Sequence, residues 1–286
     1  MYTREPIEIP RIPKLDKETF YTQYFKTKTP VILTDTIKQW PAVEKWTPNY
    51  LKSLAPDKLF YVEEGNVFQE TTAFHQIRLD EYIDGIFNAE QKPQQRPIYL
   101  ADFNIFGLSD SLMSDVDFSL IKSLTLHTRT NGWVGPKGTI ASFHIDWADN
   151  LYAQIYGRKH IKLVSPEFTP NMYPNKKYDA GTLASSVDAD NYDAERYPLF
   201  KQAQIHYTTL APGELLYIPY GWWHYLKSLD PSISINCFGW TLKGMCVDLQ
   251  VKKLKKLLHR FNLYGRHDCT CHMIQDGKRV VRPMHY

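Results

Sequence analysis

The stretch GTIASFHIDWADNLYAQIYGRKHIKLVSP, residues 138–166, decides how this chain is read. It holds three apolar-rich runs of strand length, punctuated by a Gly-Pro-Lys-Gly turn on one side and by Gly157-Arg158 inside it. Gly at the first turn position suits a type II′ turn, so NLYAQIYGRKHIKLVSP reads as a hairpin. Within the first run, His144 and Asp146 lie two residues apart. Successive strand side chains point to opposite faces, so these two share a face and Ile145 takes the other. An inward carboxylate is costly without a partner, and a metal ion is one such partner. An H-x-D pair alone is a weak signal, because a hydrogen-bonded polar pair in a turn leaves the same trace.

Working outward, residues 121 to 240 keep this character. KSLTLHTRTNGWVG (122–135), PGELLYIPYGWWHYLKSL (212–229) and SISINCFGW (232–240) supply further short strands between Gly/Pro turns. Regular short strands of this kind argue for a sandwich or barrel, of which the jelly roll is one solution. Upstream, LDKETFYTQYFKT (15–27) reads as a helix leading into the strand PVILT (30–34). Thr47 and Pro48 are placed to cap and start a second helix over 46–54. KLFYVEE (58–64) and RPIYLADF (96–103) read as strands, with helical RLDEYIDGIFN (78–88) between them. Downstream, 243–265 is helical, with Leu249, Leu254, Leu257, Leu258 and Phe261 on one face and lysines opposite. Its apolar stripe is expected to be buried on the barrel or at a dimer interface. The division expected is an N-terminal segment over 1–95, a β core over 96–242 and a C-terminal extension over 243–286.

Two ligands on one strand need a third from elsewhere, and His224 in YGWWHYL is the best candidate. Two histidines and a carboxylate form the facial triad of non-haem Fe(II) oxygenases, which leaves positions open for other ligands. Trp222 and Trp223 beside it are read as core residues. Lys159 alternates with Ile161 and Leu163, so its ammonium shares a face with two aliphatic side chains. It must either snorkel to water or meet an anion such as the distal carboxylate of a metal-chelating co-substrate.

Composition sets the bounds. The 286 residues are 43% hydrophobic and 23% charged, as in an ordinary globular protein, and can bury a sizeable core. A net charge of +3 is too small to argue for nucleic acid by itself. No stretch reaches the ~18 apolar residues of a membrane span, and the N-terminus lacks the apolar core of a signal peptide. Three of the four cysteines, Cys246, Cys269 and Cys271, lie near the C-terminus, while Cys237 sits in a strand-like run. That is no disulfide framework, and the expected location is the cytoplasm.

Taken together, the 138–166 stretch, SSVDADNYDAERYPLF (185–200) and APGELLYIPYGWWHYLKSL resemble the jumonji-C, cupin-like 2-oxoglutarate oxygenases. The likeness is strongest to their protein-hydroxylase subgroup and runs from about residue 29 to 240. It implies a mainly β, double-stranded β-helix (jelly-roll, cupin) fold with helical flanks. It implies Fe(II), 2-oxoglutarate and O₂ as cofactor and co-substrates, with succinate and CO₂ as co-products. His144, Asp146 and His224 match the metal ligands. Lys159 and Tyr99 match residues that hold the 2-oxoglutarate C5 carboxylate, and Asn150 and Asn236 match polar residues lining its pocket. One position departs: relatives have Ser or Thr three residues before the first histidine, where this chain has Ala141. Ser142 or Thr139 are the neighbours able to compensate.

By this resemblance the substrate is a side chain of a protein or peptide, and C-terminal helices of the family suggest a homodimer. A modified tRNA base is an alternative, with RNA as partner, and methyl-lysine demethylation a further one. A reading of another class is a catalytically silent metal-binding cupin scaffold, for which Ala141 speaks and against which Lys159 speaks. HDCTCH (267–272) is read as a polar C-terminal loop, because structural zinc sites usually bring ligand pairs from separate segments.

Overall fold

The computed structural model describes residues 3–66, 68, 73–87, 97–179, 181–242, 244–265, 268–275 and 278–281. The expected segment boundaries at 95/96 and 242/243 touch residues outside this set. The chain opens with β1 (Ile7–Glu8), β2 (Arg11–Ile12) and α1 (Lys17–Phe20), which runs on as a π turn over Tyr21–Phe25. Next come β3 (Val31–Leu33), α2 (Pro41–Lys45), α3 (Pro48–Leu54), β4 (Leu59–Glu64), β5 (Ala73–Arg78), α4 (Leu79–Phe87) and β6 (Ile98–Phe103). Thr47 caps α3 as the sequence predicts, its hydroxyl accepting from the Tyr50 N–H, with Pro48 first in the helix. The strand β5 was not anticipated. Half exposed and nowhere buried, it lies at a sheet edge and lacks the apolar alternation that marks a strand.

After α5 (Ser119–Lys122) the chain is almost all strand. These are β7 (His127–Gly135), β8 (Ile140–Asp146), β9 (Asp149–Tyr156), β10 (Lys159–Val164) and β11 (Thr182–Ala184). They continue as β12 (Ile205–Leu210), β13 (Leu215–Ile218), β14 (Trp223–Ser228) and β15 (Ser232–Trp240). The helix α6 (Leu249–Arg260) and the hairpin β16 (His272–Gln275) and β17 (Lys278–Val281) close it. One sheet runs β1-β12-β10-β14-β8-β11 and the other β2-β3-β13-β9-β15-β7-β6-β4-β5. From β7 to β10 and again from β12 to β15, consecutive strands alternate between the two sheets. That is the jelly roll expected. Among the described residues no helix is long and apolar enough to cross a membrane.

The alternation corrects one expectation. Gly157-Arg158 does not close a hairpin: β9 pairs with β13 and β15, while β10 pairs with β12 and β14 in the opposite sheet. The reason lies in β9, whose residues are buried from Asp149 to Ile155 and which therefore needs covering on both faces and both edges. Gly157 makes the crossing with φ +68°, and a Cβ there would lie 2.2 Å from the Pro231 carbonyl oxygen. Pro231 belongs to the turn that carries β14 across to β15, so the two crossings pack on one another. Arg158 Nε donates to Asp230 at 2.7 Å and fastens them from outside.

Three layers of core follow from strand alternation. Phe20, Trp46, Leu51, Tyr82 and Ile86 from the N-terminal helices pack on the outer face of the larger sheet, against Leu151, Ala153, Ile233 and Ile235. Tyr152, Ile161, Leu163, Leu216, Trp222 and Leu226 fill the space between the sheets. Phe143, Ile145, Val164, Trp223 and Tyr225 cover the outer face of the smaller sheet with Met172 and Phe200. Both tryptophans are thus packed, as expected. The α6 stripe is not buried on the barrel: Leu254, Leu257 and Phe261 are all more than half exposed. The side chain of Leu249 lies outside the described residues.

Gly157→Ala tests the crossing. The positive φ and the clash with backbone are expected to cost about 2–4 kcal/mol in urea unfolding. A loss within experimental error of zero would show that the turn has room that the geometry denies it.

Candidate functional site

The site is set by β8 and β14, which pair so that His144 stands directly opposite His224. Their rings lie 4.1 Å apart between centroids. Asp146 is the last residue of β8, on the same face as His144, and its Oδ2 is 3.2 Å from His224 Nε2. One ligand atom from each of the three residues lies within 4.8 Å of the others. Each imidazole uses Nδ1 toward a backbone carbonyl two residues upstream, His144 to Ser142 at 2.7 Å and His224 to Trp222 at 3.0 Å. In the neutral rings these contacts place the proton on Nδ1, so that Nε2 is the nitrogen of each that a metal would take. The donor set fits a facial two-histidine, one-carboxylate centre.

The electrostatics agree. Burial, then the neighbouring His224, lowers the His144 pKa to about 4, so the ring is neutral near pH 7. Burial works against the Asp146 charge, but the His224 hydrogen bond and the two imidazoles outweigh it and hold the carboxyl at about 2. Lys252 on α6 adds to that field, which places the lysine-rich helix near this end of the barrel. Phe68 stacks on the His144 ring at 4.6 Å and covers it.

A β-bulge decides what else faces the triad. Between His224 and Leu226 the register slips, so that Leu226 opposes Ala141 although His224 opposes His144. The extra residue in β8 returns Ala141 to the inner face, among Tyr152, Leu163 and Leu226. Position 141, not 142, therefore lines the interior. The Ser142 hydroxyl is turned to Asn66 Nδ2 at 2.5 Å, and Thr139 Oγ1 donates to the Pro136 carbonyl at 2.5 Å. Neither takes the place of the absent Ser or Thr.

Lys159 is the unusual charge of the interior. It is 1% exposed, and its Nζ donates to Tyr152 Oη at 2.8 Å, Tyr99 Oη at 3.1 Å and Ser234 Oγ at 3.1 Å. Burial pushes both phenols above the ordinary tyrosine range, so all three partners are neutral. No carboxylate pairs with Lys159 among the described residues, and burial lowers its pKa to about 7. Such an ammonium is a socket for an anion. Beside it Asn236 Nδ2 donates to Asn150 Oδ1 at 3.1 Å, and Trp133 Nε1 donates to Asn236 Oδ1 at 2.9 Å.

All seven residues singled out from the sequence thus lie in the barrel interior. Tyr152, Ser234, Trp133 and Phe68 were missed. Tyr152 follows Asn150 at i+2 and Ser234 precedes Asn236 by two, so strand alternation would have placed both on the pocket face. Phe68 sits in a loop and leaves no periodic signal. A second group, His259, Cys269, Cys271 and His272, also brings its possible ligand atoms within 4.8 Å of one another. Within the segment 267–272, read from the sequence as a polar loop, Cys269, Cys271 and His272 thus meet a histidine that α6 supplies from a separate segment. His267 lies outside the described residues.

Residues 17–240 match the family model of the cupin-like domain. The chain is 32% identical over 243 residues to Jumonji C domain-containing protein 5 of Drosophila melanogaster, covering 82% of this chain and 60% of that one. It is 34% identical over 239 residues to Lysine-specific demethylase 8 of Xenopus tropicalis, covering 80% and 53%. To JmjC domain-containing protein A of Dictyostelium discoideum it is 30% identical over 241 residues, covering 80% and 94%. The chain thus spans little more than half the length of the first two.

Lys159→Met tests the socket without any ligand. Lys159 binds a proton in the unfolded chain, at the ordinary value of 10.5, but loses it above about 7 when folded. Over pH 7 to 9 the unfolded state therefore holds more protons, and wild-type stability gains about 2 kcal/mol relative to the variant. The variant is expected to be the more stable at pH 7, with the gap closing toward pH 9. A gap independent of pH would mean that Lys159 keeps its proton on folding.

Proposed function

The chain belongs to the cupin-like, jumonji-C family of Fe(II)- and 2-oxoglutarate-dependent oxygenases, and from that premise we propose that it hydroxylates a side chain of a protein or peptide substrate. The observation that carries this reading is the joint presence, in one closed barrel, of the His144–Asp146–His224 triad and the buried Lys159 ammonium. A metal-binding scaffold needs the first but has no use for the second. Fe(II) held by the triad would supply the oxidising chemistry, which with O₂ and 2-oxoglutarate hydroxylates a C–H bond and yields succinate and CO₂.

The chain's own residues bind and orient. His144 and His224 would offer their Nε2 atoms and Asp146 a carboxylate oxygen to the iron. Lys159 receives the distal carboxylate of 2-oxoglutarate, with Tyr99, Tyr152 and Ser234 donating or turning their hydroxyls to suit. Tyr152 and Ser234 supply the polar contact that Ala141 does not. The Trp133–Asn236–Asn150 chain fixes the amides that flank the co-substrate. Leu163, Trp222 and Leu226 keep water from the interior.

Lysine in the name of one relative favours a protein substrate, with N-methyl lysine as a second reading. Against it stands the basic character of α6, whose Lys252 acts on Asp146 and whose Lys253, Lys255 and Lys256 follow in sequence. A cationic mouth repels a basic tail and suits a neutral or acidic segment, or RNA, better. The exposed Leu254, Leu257 and Phe261 of α6 support the homodimer reading.

Anaerobic titration of 2-oxoglutarate into the Fe(II)-loaded protein tests the reading without a substrate. A saturable visible charge-transfer band is expected, absent in Asp146→Ala. In Lys159→Ala its midpoint should move up ~100-fold, the worth of a lost charge-assisted bond of about 2–3 kcal/mol. Bound iron with no band at saturating 2-oxoglutarate would leave the silent scaffold as the better account. For the dimer, Leu254→Asp/Leu257→Asp is expected to halve the mass seen by sedimentation equilibrium, and a monomeric wild type would refute it.

A further inference from the structure

The Cys/His group at the C-terminus stands outside residues 17–240, the span of the family match, and the mechanism above does not use it. His259 ends α6, while Cys269, Cys271 and His272 arrive from the segment that leads into β16. Cys271 Sγ lies 3.1 Å from His259 Nε2 and 3.4 Å from His272 Nδ1. Cys269 Sγ lies 3.3 Å from His272 Nδ1, and the two imidazole nitrogens are 3.4 Å apart. A tetrahedral ion bound at ~2.3 Å to sulfur and ~2.0–2.1 Å to nitrogen separates its ligand atoms by roughly 3.3–3.8 Å. The four atoms therefore already stand close to the corners of such a tetrahedron.

The surroundings are those of a built site. His259 Nδ1 donates to the Tyr264 carbonyl at 2.7 Å, which fixes the ring and leaves Nε2 as the ligand atom. Tyr178 stacks on the same ring at 4.2 Å. Arg279 donates to Cys269 Sγ at 3.0 Å and reaches His272 Nδ1 at 3.3 Å, contacts that suit a thiolate and an unprotonated nitrogen. His259 is buried, and Cys269, Cys271 and His272 are half-buried. All four corners are protein atoms, so the centre has no open position.

We propose that His259, Cys269, Cys271 and His272 form a structural zinc site. Two thiolates and two imidazoles select zinc over magnesium, calcium or manganese, which prefer oxygen ligands. Two thiolate charges neutralise the ion, and binding releases the two thiol protons. The ion clasps α6 to the C-terminal hairpin. It also fixes the clasp to the barrel, because Cys269 bridges Tyr178 and Thr270 N–H donates to the Tyr178 carbonyl at 2.9 Å.

Zinc content of the full chain, purified under reducing conditions, tests this. Because zinc can also enter the triad, the measurement is made on His144→Ala/Asp146→Ala as well as wild type. One zinc per chain is expected to survive in that variant and to be lost when Cys269→Ser/Cys271→Ser is added. Cobalt(II) given to the metal-free protein should produce tetrahedral d–d bands with thiolate charge transfer, lost in the same cysteine variants. Should those variants fail to fold, thiol labelling of wild type decides. Cys269 and Cys271 should resist alkylation until a chelator is added, while exposed Cys246 reacts at once. Zinc that disappears with the triad, or cysteines equally reactive with and without chelator, would overturn the proposal.

Discussion

The register of β8 on β14 is the constraint on which the site depends. Side chains along a strand alternate, so one residue of slippage would turn His144 outward and bring Phe143 or Ile145 into the barrel. The hydrophobic pattern forbids this. Phe143 and Ile145 pack with Trp223 and Tyr225 on the outer face, and both strands would have to expose these to slip. The bulge next to the triad then allows a second use of the same strand. It breaks the alternation once, so that His144 and position 141 both face inward although they are three positions apart.

Lys159 carries the opposite kind of cost. A buried ammonium with only neutral hydroxyls for partners does not stabilise a fold. Aliphatic residues on either side, Ile161 on its own strand and Leu210 opposite on β12, would accept a methionine there at least as well. Lys159 spends stability that the surrounding core supplies, and a buried charge kept at such expense belongs to recognition. The three hydroxyls around it can each reverse their donor and acceptor roles. That lets the socket keep its hydrogen bonds when empty and turn them toward an anion when filled.

Much of this was open to inspection in the sequence. Alternation alone placed His144 and Asp146 on one face and Lys159 with Ile161 and Leu163, and Thr47-Pro48 announced a helix start. What alternation does not encode is partnership. Gly157-Arg158 carries every local mark of a hairpin turn, yet the strands it joins lie in different sheets. The choice was made by distant Pro231 and by the need of β9 to be covered all round. The same limit hid the C-terminal site. Cys269, Cys271 and His272 are three ligands in four residues, a pattern that means little until a helix turn ten residues upstream supplies His259. Phe68 and the bulge at Ser142-Phe143 are products of tertiary packing, with no local signature to read.

The two His-containing centres are mechanically linked through one short segment. Tyr178 pairs with Cys269, and Asp179 accepts from Thr270 Oγ1 on that side. On the other side the same Asp179 accepts from the Gly181 N–H at 2.6 Å and the Thr182 N–H at 2.8 Å. Thr182 begins β11, where it stands opposite Asp146, and Ala184 stands opposite His144. The strand that covers the open edge of β8 is thus anchored at its start by the C-terminal segment. A short edge strand of three residues has little pairing of its own to hold it. The Asn175 N–H, donating to the Ala184 carbonyl at 2.8 Å, holds its far end, while its start, opposite Asp146, rests on what fixes residues 178–179. The C-terminal extension therefore reaches the chemistry of the barrel by holding the strand beside it, without contributing a ligand to the triad.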